Sequence, residues 1–100
     1  MVKYSDEEKI CIISILRLIM QADMIIHPAE EQFLEDALTE LEVTTTLLER
    51  YSALNFQTCC AIIQRMDEDH KTHAINLFKG MAKCDGFVDP REMSIIDGLQ

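Results

Sequence analysis

Residues 83–92 read KCDGFVDPRE, and residues 21–30 read QADMIIHPAE. Asp85 stands 62 positions after Asp23 (85 − 23 = 62). The same offset sets Pro90 on Pro28, Glu92 on Glu30, Val88 on Ile26, Ile95 on Phe33, Ile96 on Leu34 and Asp97 on Glu35. Each stretch lies between two segments with helical spacing of apolar residues, so each reads as the turn of a helical hairpin. A diverged hairpin repeat explains the shared D-x-x-[IV]-x-P-x-E register economically. The expected fold is all-α: one compact domain over residues 1–100, a bundle of about six helices with pseudo-symmetric hairpins near 6–41 and 69–100.

Outward from the turns, local signals mark the helices. Ser5 followed by Glu8 is a capping-box signature and opens a helix that runs to about residue 22. Its apolar residues, Ile10, Cys11, Ile12, Ile13, Ile15, Leu16, Leu18, Ile19 and Met20, cover nearly the whole circumference, the mark of an enclosed central helix. Pro28 suits the first turn of a second helix, on which Phe33, Leu34, Ala37, Leu38 and Leu41 form one face. Two shorter helices are expected near 47–54 and 56–66, the latter carrying Cys59, Ile62, Ile63 and Met66. A fifth from about Asp69 places Ala74, Leu77, Phe78, Met81 and Ala82 at core spacing. A sixth starts at Pro90 with Met93, Ile95, Ile96 and Leu99.

Composition agrees with this reading. Only 3 Gly and 2 Pro accompany 48% hydrophobic residues in 100, and strand-type alternation is missing. A net charge of −9 repels a phosphate backbone and leaves no basic stripe, so no nucleic-acid partner is expected. It suits solubility, cations or a basic protein. The apolar run at 10–20 is too short to span a bilayer, is interrupted by Arg17, and follows Asp6, Glu7 and Glu8 rather than a basic region. It is therefore neither a signal peptide nor a membrane span, and a cytoplasmic protein is expected. Cys11, Cys59, Cys60 and Cys84 show no CxxC spacing and read as reduced thiols, with one of Cys59 and Cys60 in the core and the other at its boundary.

The chemistry concentrates at the two turns. Asp23 and Asp85 each close a helix, where the negative end of the macrodipole makes a carboxylate unfavourable by roughly 0.3–1 kcal/mol. Backbone N–H groups of the turn, or a cation, would compensate. Asp89, Pro90 and Glu92 fit N-cap, N1 and N3 of the last helix, which explains this triplet without a ligand. An EF-hand register with Glu92 at the twelfth loop position puts Gly86 at the sixth, but Met81 and Lys83 at the first and third, where carboxylates are needed. Tight EF-hand calcium binding is excluded. A weak divalent-cation site of Asp85, Asp89 and Glu92, joined by Asp23 and Glu30 where the hairpins meet, stays open. His70 and His73, beside Asp67, Glu68 and Asp69, read as an exposed polar helix start, since no third imidazole or thiolate has fixed spacing to them.

The two turn sequences and the helical pattern between them resemble the tellurite-resistance TerB-like family, which includes the N-terminal domain of DjlA-type membrane co-chaperones. The resemblance spans nearly the whole chain. It implies a compact all-helical fold with two hairpins about a pseudo-twofold, no known catalytic reaction, and roles in metal-linked stress or protein assembly. This chain departs from the family pattern at Met24, where glycine is usual, and at His27, where an acidic residue is common. Both departures weaken the first half of a two-site metal model. No nucleophile elbow, glycine-rich phosphate loop or marked Cys/His pair is present. The expected function is that of a non-enzymatic acidic interaction or stress-response domain with no cofactor, taking a protein partner or a second copy of itself and at most a weakly held cation. The alternative is a specific divalent-metal-binding or sensing protein.

Overall fold

The structure, a computed structural model, describes residues 3–21, 28–50, 55–84 and 90–99, apart from the Glu92 side chain. Among these residues six helices follow one another: α1 (Asp6–Gln21), α2 (Pro28–Glu40), α3 (Thr45–Arg50), α4 (Phe56–Arg65), α5 (Glu68–Lys83) and α6 (Pro90–Asp97). There is no strand among the described residues. The chain is an all-α bundle.

Local chemistry sets most of these boundaries. The Ser5 N–H donates to Glu8 Oε1 at 2.8 Å and the Glu8 N–H donates to Ser5 Oγ at 3.2 Å, the reciprocal capping box read from the sequence. Thr44 caps α3 by accepting from the Leu47 N–H, which starts that helix at Thr45, earlier than its apolar residues indicate. Asn55 caps α4 and Asp67 caps α5 in the same way. The chain leaves α2 through Glu42, at φ 57°, with Val43 N–H bonded to the Leu38 carbonyl and Glu42 N–H to that of Thr39. This is the Schellman arrangement, with Glu42 in the position that favours glycine.

The 62-residue repeat appears in the helix boundaries. α1 and α5 are each 16 residues long, with starts at Asp6 and Glu68, and α2 and α6 begin at Pro28 and Pro90. Burial follows the same register: Ile12, Ile13, Leu16, Ile19 and Met20 of α1 correspond to Ala74, Ile75, Phe78, Met81 and Ala82 of α5, all buried. The copies differ in depth. Every other helix packs on α1, whereas α5 meets α1, α2, α4 and α6. α1 therefore also buries Ile10, Cys11 and Ile15, whose α5 counterparts Thr72, His73 and Leu77 are exposed or half-buried.

The enclosure of α1 is incomplete. Arg17 and Gln21 are exposed and Leu18, one of the residues expected to be covered, is 38% exposed, so a narrow strip faces solvent. On α5, a Cβ at Gly80 would lie 2.8 Å from Phe33 Cζ, so glycine there lets the α2 ring sit against the helix. One core joins Tyr4, Leu16, Ile63, Phe78, Ile96 and Leu99.

Candidate functional site

Of the five carboxylates picked out at the turns, the structure describes one in full. Glu30 lies two residues inside α2 after Pro28 and is 1% exposed, the one charged side chain buried among the described residues. It is engaged by a polar partner, as a buried carboxylate must be to offset its loss of hydration. Glu31, next in sequence, is exposed. Asp23, Asp85 and Asp89 lie outside the described residues, as does the side chain of Glu92 on α6. Among the described residues, no three His, Cys, Asp or Glu side chains are grouped to hold a metal ion.

A second polar cluster forms where the start of α1 meets α5. The expectation of an exposed polar helix start at His70 and His73 is corrected here: both rings are partly buried and hydrogen-bonded. His70 Nδ1 lies 2.7 Å from Asp67 Oδ1, and its Nε2 lies 2.5 Å from the Lys3 carbonyl. Tyr4, 8% exposed, donates from Oη to the His70 carbonyl at 3.0 Å, and its oxygen lies 2.7 Å from His73 Nδ1. The phenol O–H and His73 Nδ1 share this hydrogen bond, and the donor is set by the tautomer of His73. His73 Nε2 faces Glu40 Oε1, at 3.9 Å, from the end of α2.

Electrostatics in this cluster follow from its carboxylates. The hydrogen bond to Asp67, then that to the Lys3 carbonyl, raises the His70 pKa above its ordinary 6.5, and the His70 backbone and ring lower that of Asp67. Burial, with Glu8, Asp67 and Glu40 nearby, pushes the Tyr4 phenol well above the ordinary tyrosine range. Tyr4 therefore acts as a proton donor rather than a nucleophile. Lys3, His70, Thr72, His73 and Asn76 line an open groove beside it.

Sequence reasoning missed Tyr4 because its partners are 66 and 69 residues away. One signal was available: the repeat offset sets Ser5 on Asp67 and Glu8 on His70, so the two capping pairs are counterparts.

The cysteines are all free thiols. Cys11 and Cys59 are buried, while Cys60 and Cys84 are half-buried. Cys59 in the core and Cys60 at its edge match the expected division. A hydrogen bond with Cys59 and burial hold the Cys11 thiol well above its ordinary range, so it is a protonated packing group.

No protein-family model matches the chain, and neither a curated protein nor a solved structure is significantly similar to it.

Proposed function

We propose that this protein is a non-enzymatic, acidic interaction or stress-response domain of TerB-like type, whose helix-turn carboxylates attract cations weakly and whose surface takes a basic protein partner. The observation that carries this reading is the constant offset between the two helix pairs, from capping residues through Pro28 and Pro90. A net charge of −9 supports a cationic counterpart. No helix among the described residues is long and apolar enough to cross a membrane, and the reading places the domain in the cytoplasm.

The burial of Glu30 favours a second reading, a specific divalent-cation site. In that reading the buried carboxylate at the head of α2 would exchange its polar partner for a cation shared with other oxygens. Calorimetric titration with calcium and magnesium separates the two. The leading reading expects affinity no better than about millimolar, the range of the weakest calcium modules. Micromolar binding that Glu30→Gln abolishes would establish the second reading. Asp89→Ala, tested in chelator, should lower stability by roughly 0.5–2 kcal/mol through loss of the N-cap that the sequence assigns to it. A cost that emerges only with added cation would make the turn a metal site first. Light scattering tests self-association.

A further inference from the structure

The contacts around His70 fix a proton count. Its two ring nitrogens face a carboxylate oxygen, Asp67 Oδ1, and a backbone carbonyl, that of Lys3. Neither acceptor carries a proton when Asp67 is ionised, and a neutral imidazole has one N–H to give. Only the imidazolium satisfies both. The second bond reaches a segment that lies before α1 and is distant in sequence from α5. Its other described contacts there run through Tyr4, buried in the core: the hydroxyl on the His70 carbonyl and His73, and the ring against those of His70 at 5.3 Å and His73 at 5.7 Å.

We propose that residues 3–5 form a strap held against the start of α5 by the imidazolium of His70, and that the strap is released when His70 loses its second proton. Loss of the Nε2 proton sets a ring lone pair against the Lys3 carbonyl at hydrogen-bond distance. Loss of the Nδ1 proton does the same against Asp67. The ionised Asp67 carboxylate is the stronger acceptor and keeps the Nδ1 proton, so the repulsive contact falls on the Lys3 carbonyl and the strap is the partner that moves. Release takes Tyr4 out of its seat and withdraws Lys3 from the groove bordered by Thr72 and Asn76.

The surrounding charges set the direction. Asp67 from α5 and Glu8 from α1 favour the imidazolium. Tyr4 faces it as a protonated phenol. Lys3, Glu68, Asp69 and His73 border the same groove, and Glu40 enters from α2 opposite His73. Because folding raises the His70 pKa, the strap's stabilisation is complete below 6.5 and is lost as pH rises through the raised value. Because folding lowers the Asp67 pKa, the contact is also lost as pH falls through that lowered value. The closed strap occupies the window between.

The test is an NMR titration of the full chain that follows the His70 ring nitrogens and the Tyr4-to-His70 and Tyr4-to-His73 ring NOEs together. The expected result is a doubly protonated His70 below its midpoint, a midpoint above 6.5, and disappearance of both NOE sets across that midpoint. Asp67→Asn retains a side chain that caps α5 and should shift the His70 midpoint and the NOE loss downward together. A purely structural role for Asp67 would lower the melting temperature while leaving the two midpoints in place, and would overturn the proposal. So would NOEs that persist above the His70 titration, or a wild-type midpoint at or below 6.5.

Discussion

Ile15→Ala and Leu18→Ala remove branched aliphatic side chains three residues apart on α1, yet they should differ severalfold in effect. Ile15 is fully buried within the core cluster, so the walls around a deleted side chain are held by packed neighbours. Large-to-small changes at such positions cost about 2–5 kcal/mol, most where the site cannot collapse. The better helix propensity of alanine returns a few tenths, which leaves about 3–4 kcal/mol. Leu18 is 38% exposed and already spends much of its surface in water. At about 25 cal/mol per Å² for the part that is covered, with the same propensity offset, its loss is roughly 0.5–1 kcal/mol. Against a total of about 5–15 kcal/mol for a domain of this size, the first change takes a large share and the second a small one. Urea denaturation followed by far-UV circular dichroism measures both, and the melting temperature should fall by about 4–8 °C per kcal/mol. Losses equal to within about 0.5 kcal/mol, the usual scatter of surface substitutions, would refute the reasoning. They would mean that Leu18 is as enclosed as Ile15.

Three further outcomes follow from particular positions. Glu42→Gly should raise stability by roughly 0.5–1 kcal/mol, since glycine adopts φ 57° without the penalty that a Cβ brings; a loss in chemical denaturation would contradict the Schellman geometry. In an alkaline titration followed by tyrosine absorbance, Tyr4 should stay protonated beyond the usual pH of about 10, and its burial beside Glu8, Asp67 and Glu40 would be disproved if all phenol ionised near that value with the helices intact. Of the four cysteines, Cys11 and Cys59 should react with a disulfide reagent only at the rate of protein opening, while Cys60 and Cys84 react faster; four equal rates in native protein would contradict the packing of α1 on α4.

The helices and their order were legible in the residue string because the signals that make them are local. A Ser5–Glu8 capping box, prolines at Pro28 and Pro90 and apolar residues at helical spacing act within a few residues, so α1, α2 and α6 begin where the sequence places them. The 62-residue repeat was legible for the same reason, and it recurs in the boundaries of α1 and α5.

Tertiary structure alone decided which side of each helix had neighbours. Periodicity shows that α1 is apolar almost all round, but not that Arg17, Leu18 and Gln21 face the strip left uncovered. Glu30 and Glu31 carry the same charge side by side, and only the approach of α2 to the core separates a buried carboxylate from a solvated one. His70 and His73 looked like polar surface because Tyr4 and Lys3 meet them across more than sixty residues of intervening chain. Hydrogen bonds of that kind leave no spacing in sequence. They depend on how the start of α1 is set against the start of α5, and that placement comes from packing the whole bundle around α1, a sum over many weak contacts that no short motif records.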